Sequence, residues 1–291
     1  MRIKLWFGSK MPRIYRTTPY TPKSLGEHPF THRQELIPGF DQAALSSQAV
    51  FIGAGGLNSW PALGLVQAGI RKVTLCDRDT LEVSNCNRQF YRPADIGRFK
   101  VDALGRELAR FGAGETTIES FPYHFEDMVA LYGKEVFITS TVAVIGVDNE
   151  ESRVRASRHF RALGIPAIFS GVCAEGKTGF VFIQSPTGPC YGCVFPQVVK
   201  TPSAPTPATA CAPTPAISPI LHAVSGLALE AIFAVLMPKL YHDCNYFYLC
   251  IDSSLPSGGS MRKRRLDCEL CAQLQDHPQT PIPSRYIEGR V

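Results

Sequence analysis

The chain has 291 residues, of which 45% are hydrophobic and 19% are charged, which places it among soluble globular proteins with a substantial buried core. Its formal net charge of +5 slightly favours an anionic ligand and is too small to indicate nucleic-acid binding. The first residues contain no long apolar run of the signal-peptide type, so we expect a cytoplasmic protein.

We expect three parts along the chain. Residues 1–30 carry Arg, Lys, Pro and aromatic residues without a clear period, which predicts an N-terminal extension. Residues 31–272 contain the periodic apolar segments and should form the folded domain. Residues 273–291 are polar and Pro-rich and should form a tail.

A glycine-rich turn between two apolar runs predicts a nucleotide-binding βαβ unit. Residues 49–52 form the first strand, residues 57–68 an amphipathic helix, and residues 72–76 a second strand that ends on Asp77. The glycines of the turn are Gly53, Gly55 and Gly56. They let the backbone approach a phosphate at the helix N-terminus, while the acid can bond a ribose hydroxyl. Asn58 stands where the dinucleotide fingerprint has Gly or Ala, which counts against a nicotinamide cofactor.

Three short motifs after this unit are more specific. They are Asp77-Arg78-Asp79-Thr80, Ser84-Asn85-Cys86-Asn87-Arg88-Gln89 and Lys100-Val101-Asp102. With them the chain resembles, from about His32 to Cys271, the ThiF/MoeB and ubiquitin-activating-enzyme family. These enzymes use ATP to adenylate the C-terminal glycine of a small ubiquitin-fold protein. The resemblance implies an α/β fold with a Rossmann-like, doubly wound and mostly parallel sheet, a zinc knuckle and a Pro-rich crossover loop.

The resemblance also implies which residues bind the nucleotide. Arg88, Gln89 and Lys100 would lie at the phosphates, with Asn85 alongside. The three glycines of the turn, together with Asp77 and Asp79, would complete the ATP site.

An arginine before the first strand is a further candidate. The segment His32-Arg33-Gln34-Glu35 resembles the N-terminal helix of the family, whose arginine reaches into the partner subunit's ATP site. The resemblance therefore implies that Arg33 acts across the interface of a homodimer. The alternative is an ordinary surface arginine.

The later apolar segments predict a continuing alternation of helices and strands. We expect helices over residues 100–111 and 150–163, and strands over residues 116–121, 142–147, 166–170, 180–183 and 245–251. Parallel sheets place ligands at strand C-termini, so Asp148 should point at the same crevice as Gly53 and Asp77. In the resembled family an Asp here lies by the magnesium-bound triphosphate. The alternative role for Asp148 is the N-cap of the helix that starts at Glu150.

Four of the ten cysteines form two Cys-x-x-Cys pairs. The pairs are Cys190 with Cys193 and Cys268 with Cys271. Two such pairs predict a tetrahedral zinc site that is closed by four ligands and therefore structural. The long gap between them requires a folded domain to bring them together. Free or redox-active thiols are the alternative, and disulfides are typical of smaller, secreted chains.

The composition changes sharply between residues 197 and 219, which are rich in Pro, Thr, Ala and Ser. Such a stretch should be extended and mobile. It resembles the family's crossover loop, under which the C-terminal tail of the substrate passes. Cys211 lies in it, and in some relatives a cysteine in a similar place forms a covalent link to the tail. A bystander thiol is the alternative.

An apolar helix should follow this stretch. Ser218 would be its N-cap, Pro219 would lie in its first turn, and Pro238 would end it. The run is long enough for a membrane span, but His222 and Glu230 interrupt it, so we expect a core or interface helix and no membrane association.

The chemistry of adenylation explains the candidate residues. A carboxylate attacks the α-phosphate of ATP and pyrophosphate leaves, so an anionic pair must be held in line by positive charge. Arg88, Lys100 and a magnesium ion held by Asp148 would supply it, with Arg33 from a second subunit as a fourth group. No general base is needed because a carboxylate is already ionised. We therefore expect an adenylyltransferase that uses ATP, Mg²⁺ and a structural Zn²⁺ on a ubiquitin-like or sulfur-carrier protein ending in Gly-Gly.

Three other interpretations remain. A nicotinamide dehydrogenase has no use for the phosphate-binding residues together with the zinc knuckle. A tRNA-modifying relative that activates a small carboxylate should have a more basic surface. A non-catalytic scaffold should have lost a phosphate-binding group, and the sequence retains all of them. The identity of the carrier, and whether the product is an adenylate, a thioester or a thiocarboxylate, stay open.

Overall fold

The computed structural model describes residues 11–21, 28–173, 175–200, 216–239, 244–251 and 257–272. Over these residues a nine-stranded sheet forms the centre of the protein. Its strands are β1 (Arg13–Arg16), β2 (Gln48–Ile52), β3 (Lys72–Cys76), β4 (Thr117–Phe121), β5 (Val142–Ile145), β6 (Ala167–Val172), β7 (Thr178–Gln184), β8 (Tyr246–Cys250) and β9 (Gly258–Ser260). The order across the sheet is β1-β4-β3-β2-β5-β6-β7-β8-β9.

The middle of the sheet is parallel and doubly wound. Strands β4, β3, β2, β5 and β6 pair in parallel, whereas β1 at one side and β7, β8 and β9 at the other pair antiparallel. The chain runs outward from β2 to β4 and then returns to place β5 on the other side of β2. The order therefore reverses between β2 and β5, where open α/β sheets bind their ligands. The predicted fold class is confirmed.

Helices cover both faces of the sheet. They are α1 (His32–Glu35), α2 (Gly56–Ala68), α3 (Lys100–Phe111), α4 (Phe125–Tyr132), α5 (Glu135–Ile138), α6 (Glu150–Ala162), α7 (Tyr191–Val194), α8 (Gln197–Lys200), α9 (Ser218–Leu236) and α10 (Glu269–Ala272). Successive residues of a central strand enter opposite cores: Phe51 packs with α2, α3 and α9, whereas Val50 packs with α4 and α6. Burial on both faces explains why the central strands read as continuous apolar runs.

Helix α9 is part of the core. It is the one helix of the described chain that is long and apolar enough to cross a membrane. It lies on the sheet through Ile220, Val224 and Ala228, and it lies so close to α2 that a Cβ at Gly64 would be 2.4 Å from the side chain of Leu229. These contacts support the prediction of a core helix.

The start of α9 differs from the prediction. Ile217 is the N-cap and Ser218 is the first helical residue, with Pro219 next to it. The Ser218 hydroxyl donates to the carbonyl oxygen of Asn87 at 2.7 Å instead of capping the helix. The predicted cap is therefore wrong, because Ser218 already lies in the first turn of the helix, where its hydroxyl bonds to a distant loop.

Elements predicted from the sequence agree with the structure within two residues at each end, but seven other helices and strands of the described chain were not predicted. Strand β1 lies inside the expected N-terminal extension and pairs with β4. The first four residues of the Pro-rich stretch, Gln197–Lys200, form the short helix α8. Strand β9 and helices α4, α5, α7 and α10 are the remaining five. Most of these segments have four residues or fewer, which is too short to show a period.

We expect the half-buried His159 to make stability depend on pH. Its Nε2 atom is buried without a hydrogen-bond partner in the described chain, and its ring contacts the edges of Phe125 and Phe137. Burial lowers the pKa of His159 below its usual 6.5. The unfolded chain then binds more protons, so the free energy of unfolding should fall as the pH drops below about 6.5. Denaturant titrations of His159→Phe should show a smaller fall between about pH 7 and 5.5 than the wild type, and an equal fall would contradict the assignment.

Candidate functional site

A crevice opens at the switch point of the sheet. It has a volume of about 950 Å³ and is lined by the turns that follow β2, β3 and β5. All ten predicted nucleotide-binding residues line it: Gly53, Gly55, Gly56, Asp77, Asp79, Asn85, Arg88, Gln89, Lys100 and Asp148. The structure thus gathers residues from the motifs that are widely separated in the sequence.

The glycine turn allows close approach of the backbone. Gly53 has a φ of +89°, and a Cβ there would lie 2.9 Å from the carbonyl oxygen of Gly146. Gly55 precedes α2 in an extended conformation without a side-chain cap. Within the described chain, the N–H groups of Gly56 and Leu57 donate no hydrogen bond. A helix N-terminus with free amides is a binding site for an anion such as a phosphate.

Asn58 explains the departure from the dinucleotide fingerprint. Its fully buried side chain donates to the carbonyl oxygens of Ile52 and Gly53 at 2.9 and 2.8 Å. It fills the contact between α2 and β5, and a Cβ at Gly146 would lie only 2.4 Å from its Oδ1 atom. In that fingerprint a third glycine allows the helix to pack closely against the strand. Here the side-chain amide of Asn58 makes this contact, and it faces Gly146, which directly follows β5.

Two acids after β3 organise the edge of the crevice. Asp77 accepts hydrogen bonds from the backbone N–H groups of Ala54 at 2.7 Å and Asp79 at 2.8 Å. Burial raises the pKa of Asp77, against the opposing effect of the nearby Lys100. Lys100 in turn contacts Asp79, with 2.9 Å between Nζ and Oδ2. The side chain of Lys100 is only 12% exposed, so its ammonium group is held at the crevice.

The loop that carries Arg88 and Gln89 is fastened over the glycine turn. The indole of Trp60 donates to the carbonyl oxygen of Arg88 at 3.3 Å, and the hydroxyl of Tyr91 donates to that of Ala54. The guanidinium of Arg88 is turned toward its own loop, where it donates to the carbonyl oxygen of Ser84. The Oε1 atom of Gln89 is buried without a partner in the described residues. An orphaned polar atom beside free helix amides fits a polar ligand in the turn.

Asp148 is free to bind a cation. Asn149, not Asp148, caps α6, since its side chain accepts from the N–H group of Ser152 at 2.7 Å. The alternative of an N-cap role for Asp148 is therefore wrong. Asp148 is exposed at the crevice, and its carboxylate makes no hydrogen bond or ion pair with the part of the chain that the structure describes. Carboxylate oxygens are hard ligands that suit Mg²⁺.

Arg153 lines the crevice and was not predicted. Its side chain is 9% exposed, pairs with Glu150 at 2.6 Å and donates to the carbonyl oxygen of Val147 at 2.7 Å. It also lies over the ring of Phe180, 5.7 Å from the centroid. The i, i+3 spacing of Glu150 and Arg153 just after a strand C-terminus was the available signal, but it usually marks a solvated pair.

Two predicted residues are not among those that line the crevice. Arg33 is exposed on α1, which is fastened to the far end of α2 because Gln34 donates to the carbonyl oxygen of Ala68 at 2.8 Å. Helix α2 begins at the crevice and has 13 residues, so it separates α1 from the glycine turn by roughly 20 Å. Arg33 therefore cannot reach the crevice of its own subunit. Cys211 lies outside the described residues.

The four knuckle cysteines form one buried cluster. Their Sγ atoms all lie within 4.8 Å of one another, and Cys190 is 3.8 Å from Cys193, 3.5 Å from Cys268 and 3.3 Å from Cys271. Tetrahedral zinc with bonds of about 2.3 Å requires sulfur atoms about 3.8 Å apart. The backbone N–H of Arg265 donates to Cys193 at 3.3 Å, which favours its thiolate form. The residues therefore fit zinc.

We predict one zinc per chain. Cys190→Ser or Cys268→Ser should lower the zinc content and reduce the Tm by more than about 5 °C, because the metal holds α7 and α10 together. Cys86→Ser, at a partly exposed cysteine outside the cluster, is the matched control and should keep both values. Elemental analysis and calorimetry provide the measurements. A wild-type protein that is metal-free and stably folded would overturn the prediction.

This crevice lies at the switch point of a doubly wound sheet and contains a glycine turn and the basic side chains of Arg88 and Lys100. Such a crevice is typical of nucleotide-binding α/β proteins. The chain belongs to the ThiF family, whose sequence model matches residues 32–270. This match confirms the resemblance on which the predicted site was based.

Named relatives agree with this assignment. The adenylyltransferase and sulfurtransferase uba4 of Aspergillus clavatus is 31% identical over 263 residues, which are 82% of this chain and 51% of the relative. The ubiquitin-like modifier-activating enzyme 5 of Oryza sativa subsp. japonica is 29% identical over 183 residues, which are 58% of this chain and 42% of the relative. The chain thus spans about half the length of the curated relatives it matches.

Solved structures share the fold. E. coli MccB with succinimide superposes with a TM-score of 0.62 at 18% identity, over 79% of this chain and 68% of MccB. PaaA superposes with a TM-score of 0.58 at 22% identity, over 77% of this chain and 67% of PaaA.

Proposed function

We propose that this protein is an ATP-dependent adenylyltransferase that activates the C-terminal carboxylate of a ubiquitin-like or sulfur-carrier protein. The observation that carries the proposal is the convergence of all ten predicted nucleotide-binding residues on one crevice at the switch point. Membership of the ThiF family and relatives named as adenylyltransferases support it. A scaffold that had lost catalysis would not be expected to keep every phosphate-binding group in place.

The geometry suits attack of a carboxylate on the α-phosphate of ATP. The free amides of α2 would bind phosphate oxygens, while Lys100 and Arg88 would offset the charge that builds up as pyrophosphate leaves. The carboxylate of the carrier forms the new bond to phosphorus, and the bond to the bridging oxygen of pyrophosphate breaks. Lys100 is already positioned by Asp79, so little reorganisation is needed during the reaction.

Asp148 would hold a magnesium ion. Its carboxylate is exposed in the crevice, and the metal would supply positive charge at the phosphates. Asp77, at the end of β3, would bond the ribose through lone pairs not used by its two backbone donors.

The finer parts of the proposal concern the carrier and the assembly. Relatives named as both adenylyltransferase and sulfurtransferase favour a carrier whose adenylate then reacts with a sulfur nucleophile. Cys211 is the residue of the Pro-rich segment that we propose for such a thiol step. We also propose a cytoplasmic homodimer in which Arg33 completes the site of the other subunit.

Carrier-dependent ATP–pyrophosphate exchange tests the proposed function. The purified chain with ATP and Mg²⁺ should exchange label only when a carrier ending in Gly-Gly is present, and mass spectrometry should detect its adenylate. The matched control is the same carrier without its last glycine, because this lacks the reacting carboxylate in the correct place. Exchange that needs a free small carboxylate or tRNA, or no exchange with any carrier, would contradict the proposal.

A further inference from the structure

A chain of hydrogen bonds connects the cysteine cluster to the crevice. Tyr191 lies between two of the clustered cysteines, and its hydroxyl donates to Oε2 of Glu150 at 2.8 Å. The other carboxylate oxygen, Oε1, accepts from Arg153 at 2.6 Å. Glu150 therefore joins a residue of the metal knuckle to Arg153, and all three residues line the crevice.

The connection continues to the end of β5. Arg153 donates through Nη2 to the carbonyl oxygen of Val147 at 2.7 Å, and the same nitrogen lies 3.4 Å from the carbonyl oxygen of Ser170 on β6. Val147 directly precedes Asp148. The buried guanidinium thus fixes the peptide from which the candidate magnesium ligand projects.

Tyr191 is held both by the core and by the short helix that carries the cysteines, and its backbone N–H donates to Oε1 of Gln184 at 3.1 Å. It is among the largest fully buried side chains, and its ring packs 4.8 Å from that of Phe169 and 4.6 Å from that of Phe195. It follows Cys190 directly and shares the four-residue helix α7 with Cys193. A displacement of either cysteine would therefore move the Tyr191 hydroxyl.

Glu150 shows that this arrangement is more than core packing. Its side chain is 50% exposed, yet both carboxylate oxygens bond to the buried or nearly buried Tyr191 and Arg153. An exposed glutamate gains little from such ion pairing alone. The bridge does, however, restrict the first turn of α6, which begins two residues after Asp148.

We propose that Tyr191, Glu150 and Arg153 are positioning residues that hold Asp148 for magnesium, and that they make the affinity for Mg·ATP depend on the metal-loaded cysteine cluster. The inference rests on the proposed function. It adds that the zinc knuckle, besides joining α7 to α10, determines how well the catalytic crevice binds its nucleotide.

Tyr191→Phe isolates the connection, because it removes one hydroxyl and leaves all four cysteines in place. Partners that orient a metal ligand typically contribute 10- to 100-fold to metal affinity, and Tyr191 acts through two further residues, so we expect about fivefold weaker binding of ATP in Mg²⁺. Binding of ATP in Mg²⁺-free buffer without a chelator should not change, nor should the zinc content. Isothermal titration calorimetry of the full chain measures both affinities.

Tyr15→Phe is the matched control. Tyr15 lies on the edge strand β1, and its hydroxyl also donates to a carboxylate, that of Asp102, at 3.4 Å. It should leave both affinities unchanged. Removal of zinc from the wild type by a chelator should weaken Mg·ATP binding as Tyr191→Phe does, whereas zinc removal from the Tyr191→Phe protein should weaken it little further.

A second variant tests the same positioning role at a different residue. Arg153→Met removes the donor to the Val147 carbonyl and should weaken Mg·ATP binding by about tenfold or more, again without an effect on ATP binding in Mg²⁺-free buffer. If the wild type binds Mg·ATP and both variants match it, or lose affinity equally with and without Mg²⁺, the positioning role is wrong. If the wild type does not bind Mg·ATP at all, the proposed function itself fails.

Discussion

Replacing Lys100 with alanine is expected to reduce carrier-dependent pyrophosphate exchange by about 10²-fold or more. The ammonium group lies at the crevice with only 12% of its side chain exposed, and Asp79 holds it at 2.9 Å. It would meet the phosphates where charge develops in the transition state. Arg88→Ala should have an effect of similar size, because the loop that carries it is fastened over the glycine turn.

Lys72→Ala is the matched control for Lys100→Ala. Lys72 also makes an ion pair at 2.9 Å, with Glu119, but it lies at the beginning of β3, at the opposite end of the strand from the crevice. It should retain wild-type exchange. Initial exchange rates, with folding checked by circular dichroism, decide the outcome. Undiminished exchange in Lys100→Ala and Arg88→Ala would remove both residues from the site.

Arg33→Ala is expected to reduce exchange about as strongly, although Arg33 is remote from its own crevice. An arginine supplied in trans can contribute 10³-fold or more to phosphoryl chemistry, so a loss of at least about 10²-fold is expected here. Helix α1 is anchored at the far end of α2, which leaves Arg33 exposed for contact with a second subunit.

Mixing two inactive variants tests this arrangement. In a hybrid dimer of Arg33→Ala and Lys100→Ala chains, one of the two sites contains both residues intact and should restore part of the activity. The control is a mixture of Arg33→Ala with itself after the same exchange procedure. If every mixture stays inactive although subunit exchange is demonstrated, or if Arg33→Ala alone is fully active, Arg33 does not act in trans.

The glycine turn and the acids of the crevice could be predicted from strand and turn patterns, whereas Asn85, Arg88, Gln89 and Lys100 were assigned through the family resemblance. Strand, glycine turn and helix are consecutive, and the rule that strand C-termini share one edge brings Asp148 to Gly53 without any knowledge of side-chain packing. The cysteine cluster could also be predicted from the sequence, since two Cys-x-x-Cys pairs form such a cluster in any fold that brings them together.

Contacts between distant segments could not be predicted in this way. Arg153 is identified by its bonds to the carbonyl oxygens of Val147, just after β5, and of Ser170 on β6, and nothing in its own helix distinguishes it from a surface arginine. The hydroxyl of Ser218 bonds to Asn87 rather than to its own helix, and strand β1 is held by pairing with β4. In each case the partner lies outside the residue's own helix or strand, and sequence periodicity carries no information about it.

The contact between Asn58 and Gly146 links the substitution histories of two distant positions. A side chain at position 146 is blocked while Asn58 is present, and shortening Asn58 alone would remove the amide that donates to the carbonyl oxygen of Gly53 and adds a second hydrogen bond to that of Ile52. A substitution at position 58 or at position 146 therefore constrains the residue at the other, so the two positions should covary among homologues. Redesign of this turn toward a dinucleotide fingerprint would accordingly have to alter both positions together.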